Sequence, residues 1–165
     1  MNPNVLTIRD FSLDLKNDEE WKHILHHVSL ELPQGKTLGI VGESGSGKSV
    51  TALSVMRLIS PKIMRVTGGE IVFHDSRNDQ DVSIFSLSEK ELRKVRGARI
   101  AMIFQEPMTS LNPVIRCGEQ ITEALLLHTT LSKKEARERV LELFREVMLP
   151  RPEKIFTAYP HELSG

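Results

Sequence analysis

The chain has 165 residues, of which 39% are hydrophobic, so it is long enough to bury one sizeable core. Acidic and basic residues balance at 22 each, which gives no electrostatic indication of a nucleic acid or an anionic membrane as a partner. A single cysteine excludes an internal disulfide, and no apolar run approaches the roughly 18 residues that a membrane span requires.

The first forty residues predict strands. Residues 5–15 and 24–32 alternate apolar and polar side chains as half-buried strands do. The proline and glycine of "PQGK" predict a tight turn after the second of them. Residues 37–41, "TLGIV", form a continuous apolar run, which is typical of a strand buried on both faces of a parallel sheet.

A glycine-rich loop follows, in the stretch "GESGSGKSV". Gly42, Gly47, Lys48 and Ser49 match the pattern G-x-x-x-x-G-K-[ST]. Glycines let the backbone curl so that successive N–H groups surround an anion, and the helix beginning near Lys48 adds its positive end. The lysine is expected to bridge the β- and γ-phosphates and the serine hydroxyl to ligate Mg²⁺. The predicted nucleotide-binding residues are Gly42, Glu43, Ser44, Gly45, Ser46, Gly47, Lys48, Ser49 and Val50.

The surroundings of this loop favour a nucleoside triphosphate site over a glycine turn that matches the pattern by chance. A strand is predicted before it and a helix after it. The helix has apolar residues at helical spacing, namely Ala52, Val55, Met56 and Ile59. The loop itself suits a small-molecule kinase, a GTPase or a transport ATPase equally well, so the rest of the chain has to decide.

After that helix the chain returns to mixed elements. Residues 68–75, "GGEIVFHD", predict a strand. Ser88 with Glu91 predicts a capping box at the start of a short helix. Residues 99–104, "RIAMIF", predict another buried strand, which ends at Gln105.

Beyond Gln105 only helices are predicted. The first has Ile121, Ala124, Leu125 and His128 along one face. Ser132 with Glu135 predicts a capping box for the second, whose apolar stripe is Ala136, Val140, Leu143, Phe144 and Val147. The pattern therefore divides the chain into a nucleotide-binding core over residues 1–105 and a helical part over 106–165.

Two further stretches resemble one family. "IAMIFQEPMTSLNPV", residues 100–114, resembles the Q-loop of ATP-binding cassette proteins, and "FQEPMTSLNP" is similar to the subfamily that powers dipeptide, oligopeptide and nickel importers. "YPHELSG", residues 159–165, resembles the lead-in to the LSGGQ signature of that family. The three motifs stand in the family's order and the resemblance covers essentially the whole chain. The kinase and GTPase interpretations are therefore disfavoured.

The resemblance implies an α/β fold: a P-loop NTPase core of the ABC type with an N-terminal antiparallel β subdomain and a helical subdomain. It implies that Gln105 reaches toward Mg²⁺ and the attacking water, and that residues 106–113 relay the γ-phosphate to permease subunits. Ser164 and Gly165 would contact ATP held by a second ATPase subunit in a head-to-tail dimer. The implied cofactors are ATP and Mg²⁺, and the implied location is the cytoplasmic face of the inner membrane.

Some features depart from the family or leave alternatives open. An aromatic side chain usually stacks on adenine, but Leu15 stands at that place; Trp21 is a candidate substitute, and Phe11 is assigned to the core. His23, His26 and His27 suggest a metal site, although no carboxylate or thiol pattern supports one and solvated histidines are the simpler interpretation. A basic run is expected to form a solvated face; it comprises Arg93, Lys94, Arg96 and Arg99.

The residues stop within the signature, before the family's Walker B strand. The second Mg²⁺-binding aspartate and the catalytic glutamate of the family are not among them. We therefore expect these residues to be the N-terminal portion of an importer ATPase, without hydrolytic activity of their own. The alternative is a module that binds nucleotide or docks on a permease without turnover. The sequence decides neither the transported solute nor between a homodimer and a heterodimer.

Overall fold

The first part of the chain is built on a four-stranded antiparallel sheet. The computed structural model describes residues 4–105 and 111–163, which fall into two compact units, residues 1–99 and 100–165. The strands are β1 (Asn4–Asn17), β2 (Glu20–Pro33), β3 (Met64–Asp75) and β4 (Gln80–Ser83), in the order β2-β1-β3-β4. The strands predicted over residues 5–15, 24–32 and 68–75 are confirmed as β1, β2 and β3, and each is longer than predicted.

The core of this unit is built around β1 and β3. Its fully buried side chains come from β1, from β3 and from the segment after β4: Ile8, Phe11, Leu13, Ile71, Ile84 and Leu92. Phe11 stacks on Phe85 with ring centroids 5.5 Å apart, so its assignment to the core is confirmed. Leu92 belongs to α2 (Glu89–Val95), which begins at the predicted capping box of Ser88 and Glu91.

Helix α1 (Lys48–Val55) is shorter than predicted. It ends because Arg57 adopts a left-handed conformation with φ 47°, and the predicted continuation to Ile59 is therefore wrong. The buried residues of α1 are Thr51 and Ser54, not an apolar stripe. Their hydroxyls donate to carbonyls one turn back, at 3.0 Å and 2.7 Å, which lets polar side chains be buried without unsatisfied groups.

Two predicted buried strands are not formed. Residues 37–41 and 99–104 belong to none of the strands in the described part of the chain, and Val41 and Ile103 are 97% and 92% exposed. A run of apolar residues marks a strand for burial, but the strand forms only where a neighbour supplies ladder hydrogen bonds. None of the four described strands pairs with either segment.

The basic run before residue 100 is not simply a solvated face. Arg93 and Lys94 are exposed on α2, whereas Arg96 and Arg99 are half-buried. The Arg99 guanidinium forms an ion pair with the carboxylate of Asp75, at the end of β3. Arg96 binds the end of α1, as described below.

The second unit is a small helical cluster. Its helices are α3 (Cys117–His128), α4 (Lys133–Glu146) and α5 (Pro152–Thr157). The core is Val140, Phe144 and Phe156, with Ile121, Leu125, Leu141 and Ile155 packed around it. The predicted capping box at Ser132 is confirmed.

Some of the predicted helix faces are only partly buried. Ala124 and His128 of α3 are exposed, and Val147, 64% exposed, lies just beyond the end of α4. Cys117 is buried at the start of α3, and burial raises the pKa of its thiol. Within residues 4–105 and 111–163, every helix is too short or too polar to cross a bilayer.

Candidate nucleotide-binding site

The glycine loop joins the extended residues 37–41 to α1. Gly45 and Gly47 have φ angles of 83° and 87°, which glycine adopts without the steric cost that a side chain brings. The amide of Ser46 donates to the carbonyl of Glu43 at 3.2 Å and closes a turn between them. Gly47 is the N-cap residue of α1, so the loop leads directly into the positive end of the helix.

Two glycines of the loop are also in close contact with neighbours. A Cβ atom on Gly42 would lie 2.8 Å from the hydroxyl of Ser46, and one on Gly47 would lie 2.6 Å from a methyl group of Leu25. Leu25 lies in β2 and is buried. The sheet therefore forms the surface against which the end of the loop packs. Leu25 is a packing contact of the loop that could not be predicted from the sequence, because its pattern is that of any strand residue.

Lys48 lies across the loop. Its ammonium donates to the carbonyls of Gly42 and Glu43, at 2.7 Å and 2.6 Å, and to the hydroxyl of Ser46 at 3.1 Å. An ammonium has three protons, and these three acceptors account for all of them. The ammonium is thus held within the loop, and Lys48 is the first residue of α1, so its charge adds to the positive end of the helix that suits an anion.

The first turn of α1 is secured by Thr51. Its amide and its hydroxyl both donate to the carbonyl of Gly47, at 2.8 Å and 3.0 Å. Thr51 is not among the residues predicted from the sequence, although a β-branched hydroxyl four residues after the last loop glycine is a readable signal for such a bond. Ser49 is exposed on the same turn, and Val50 beside it is half-buried.

The structure brings together the predicted site residues from 42 to 50, all of which lie in the first unit. Gln105 belongs to the second unit, where it is exposed at the end of the extended segment that precedes it. Its predicted approach to Mg²⁺ stays a prediction. Ser164, Gly165 and residues 106–110 lie outside the described residues, so their predicted roles stay predictions as well.

The indole ring of Trp21, in β2, contacts the side chain of Arg65, in β3 of the same sheet. The Arg65 guanidinium lies over that ring, 4.7 Å from its centroid, and donates to a carboxylate oxygen of Asp14 at 2.5 Å. Asp14 and the preceding Leu13 point to opposite faces of β1. Leu13 pairs with Leu25, the residue that contacts the loop. Trp21 therefore lies on the face opposite to the loop contact, and nothing in this arrangement favours it as an adenine-stacking residue.

Asp14 is a buried carboxylate that forms hydrogen bonds with Arg65 and His23. The hydrogen bond from Arg65, and after it the one shared with His23, lowers the pKa of the carboxyl below its ordinary value. Because the pKa is lower in the folded state, the resulting stabilisation is present above the ordinary aspartate pKa and is lost as the pH falls through the folded value. The hydrogen bonds of Asp14 thus join β1, β2 and β3, and their contribution to stability depends on pH.

The histidines of β2 have specific partners, so the interpretation of them as simply solvated is incomplete. His23 shares a hydrogen with Asp14, and His27 with Asp10 at 2.8 Å. The ring of His26 meets that of His23 edge-on, with centroids 4.1 Å apart. Over residues 4–105 and 111–163, no group of three or more potential metal ligands comes together.

Comparison with known proteins adds independent information. The family model described as "ABC transporter" matches residues 25–165. The chain is 46% identical over 161 residues to the probable peptide ABC transporter ATP-binding protein y4tR of Sinorhizobium fredii, covering 98% of this chain and 46% of the relative. It is 45% identical over 162 residues to the glutathione import ATP-binding protein GsiA of Salmonella choleraesuis, covering 98% of this chain and 26% of the relative.

Among solved structures, the chain is similar to a dimeric bacterial ABC transporter cassette, MJ0796. The TM-score is 0.77 at 26% identity, over 97% of this chain and 63% of the other. The predicted fold class is confirmed by this likeness. The chain spans less than half the length of the two relatives named above.

Proposed function

The chain belongs to the ABC transporter family, and we propose that it is part of the ATP-binding subunit of an importer for peptides or similar small solutes. Residues 42–50 bind ATP in this proposal. The observation that carries it is the position of Lys48, whose ammonium is fixed by the loop beside the N-terminus of α1. Positive charge and converging N–H groups are what a polyphosphate requires.

The donor set also fits Mg²⁺ accompanying the nucleotide. Ser49 presents a hydroxyl on the exposed side of the first helical turn, one residue after the lysine. Oxygen ligands of this kind suit a hard cation, and Mg²⁺ supplies charge neutralisation between phosphate oxygens. We propose Ser49 as the ligand from this loop and Gln105 as the ligand from the second unit. The loop's own contribution is to orient the phosphates through the lysine and the backbone N–H groups.

Hydrolysis and transport belong to the whole protein in this proposal. Gln105 would help to order the attacking water, and Ser164 with Gly165 would contact ATP bound to a second, head-to-tail ATPase subunit. Permease subunits would hold the complex at the cytoplasmic face of the membrane. Support comes from the family, from the dimeric MJ0796 cassette, and from the two relatives, a probable peptide transporter protein and a glutathione import protein.

Substitution of Lys48 tests the nucleotide site. Calorimetric titration with ATP should show that Lys48→Ala raises the dissociation constant by about 10- to 100-fold, because the positive charge that the loop holds at the start of α1 is lost. Lys36→Ala is the control, since Lys36 is exposed in the turn before the loop. Equal affinities of the lysine-48 variant and the parent chain would exclude this site.

Substitution of Gln105 tests the proposed role in turnover. In the whole protein, Gln105→Ala should reduce kcat for ATP hydrolysis far more than it weakens ATP binding, since its role lies in ordering the reacting groups. Losses of equal size in kcat and in affinity would contradict that role and would indicate a part in binding alone.

A further inference from the structure

The C-terminal end of α1, opposite to the glycine loop, is bound by an arginine from another helix. The Arg96 guanidinium donates to the carbonyl of Met56 at 2.7 Å and to the carbonyl of Arg57 at 2.5 Å. Arg96 is itself the C-cap residue of α2, and its amide donates to Leu92. Two helix ends are thus joined through one side chain.

A second arginine, at the end of α1, binds the segment that leads into α2. Arg57 follows α1, and its guanidinium donates to the carbonyls of Leu87 and Ile84, at 2.6 Å and 3.3 Å. It also donates to the carboxylate of Glu89 at 3.1 Å, and the other oxygen of that carboxylate lies 3.6 Å from Arg96. Glu89 therefore balances both positive charges. We call Arg57, Glu89 and Arg96 the α1 clamp.

Helix α1 has few other means of holding its position. It has eight residues, which is too short for a helix to be stable by itself. Gly47 provides no side-chain cap at its start, and its last turn contains no basic residue of its own. Its two buried side chains, Thr51 and Ser54, are small and bond within the helix. The positive groups that complement its negative end come from the α1 clamp.

We propose that Arg96 and Arg57 are positioning residues for nucleotide binding, acting through α1. This inference rests on the proposed binding of ATP at residues 42–50. The clamp fixes the C-terminal end of the helix whose first turn carries Lys48 and the N–H groups that face the phosphates. Without the clamp, α1 would be free to shift along its axis. Its first turn would then be in the position that binds phosphate for only part of the time. Affinity falls in proportion to the competent fraction.

Hydrogen exchange and ATP titration of Arg96→Ala test the inference together. We expect the Thr51 amide, which bonds within the first turn of α1, to exchange about tenfold faster, while the amides of β1 and β3 keep their rates. The dissociation constant for ATP should rise about tenfold in parallel. Arg96→Lys should restore part of both effects, because an ammonium can reach carbonyls but lacks the two-pronged geometry. Lys90→Ala, an exposed change on α2, is the matched control.

The possible outcomes separate this inference from the proposed function. Unchanged exchange at Thr51 overturns the inference, and so does faster exchange spread evenly over α1, β1 and β3, because that pattern reports global stability only. If the parent chain does not bind ATP, or binds it as well with Lys48→Ala, the proposed function fails while the exchange result still reports on the clamp. If Arg96→Ala does not fold, Arg96→Lys and Glu89→Gln carry the same test, with smaller shifts expected in the same direction.

Discussion

Helices α1 and α4 end in the same way but are held in place by different means. Each finishes in a Schellman motif with a non-glycine residue in the left-handed region, Arg57 after α1 and Met148 after α4. In both, the amide of the third residue past the helix donates back across the turn, from Leu58 to the carbonyl of Leu53 at 3.0 Å and from Leu149 to that of Phe144 at 2.9 Å. The Arg57 side chain is held by a hydrogen bond to the carbonyl of Leu87, whereas the side chain of Met148 is 88% exposed.

The two helices also begin differently. The Ser132 hydroxyl caps α4, and an apolar stripe of Ala136, Val140 and Phe144 anchors it. Helix α1 begins at Gly47, which packs against Leu25 from a neighbouring strand. The comparison teaches that α4 is specified by its own residues. Helix α1 is specified by what surrounds it, as suits an element that has to place a binding loop.

The largest expected effect is on the core beneath α4. Phe144→Ala should lower the free energy of unfolding by about 3–5 kcal/mol, because a buried ring is replaced by a cavity next to Val140 and Phe156. Urea denaturation followed by circular dichroism measures it. Leu127→Ala is the control, since Leu127 is largely exposed on α3. A loss below about 1 kcal/mol for Phe144→Ala would show that α4 does not depend on this stripe.

Next in size is the start of α1, where Gly45 and Gly47 form a matched pair. Both have left-handed φ angles, but only Gly47 meets Leu25. Gly45→Ala should lower the free energy of unfolding by about 1–2 kcal/mol through backbone strain, and Gly47→Ala by about 1–3 kcal/mol more through overpacking. Urea denaturation of both variants measures the difference. Equal losses would mean that the contact with Leu25 contributes nothing.

A smaller effect is expected at the cap of α4. Ser132→Ala should lower the free energy of unfolding by about 1 kcal/mol at neutral pH, with Thr130→Ala as an exposed control. The bond from Ser132 lowers the pKa of Glu135, so the box stabilises the fold above the ordinary glutamate pKa and weakens as the pH falls. The difference between Ser132→Ala and the parent chain should therefore shrink in acid. A difference that grows on acidification would contradict this account.

The smallest expected effect is an increase in the free energy of unfolding. Met148→Gly should raise the free energy of unfolding by about 0.5–1 kcal/mol, because glycine removes the cost of the left-handed conformation and little packing is lost at so exposed a side chain. Val147→Gly is the matched control: Val147 has a φ of −88°, so glycine gains nothing there and adds entropy to the unfolded chain. If Met148→Gly lowers the midpoint of thermal unfolding, the side chain makes a stabilising contact that its exposure hides.

Much of this molecule could be predicted from local patterns. The capping boxes at Ser88 and Ser132 rest on side chains three residues apart, and both are present. The strands over residues 5–15 and 24–32 were predictable because apolar and polar side chains alternate along them. The nine loop residues from Gly42 to Val50 could be found because a phosphate loop needs glycines and a lysine at fixed spacing, and these are contiguous in the chain.

The predictions that were wrong concern residues whose contacts lie far away in the chain. The apolar residues 37–41 indicated a buried strand, but apolar character says nothing about which strand will pair with it. The basic run before residue 100 indicated solvent exposure, since charge alone does not show that Arg96 meets carbonyls forty residues earlier.

The sequence by itself determined the elements whose stabilising contacts lie within a few residues, such as the capped helix α4 and the glycine loop. It also determined the family, because three motifs in one order identify a fold that their separate physics would leave open. Only the tertiary structure decided the length and anchoring of α1, the contact of Gly47 with Leu25 and the partners of Arg57 and Arg96. Those contacts join residues far apart in the chain, and the geometry that joins them exists only once the sheet and α2 have packed.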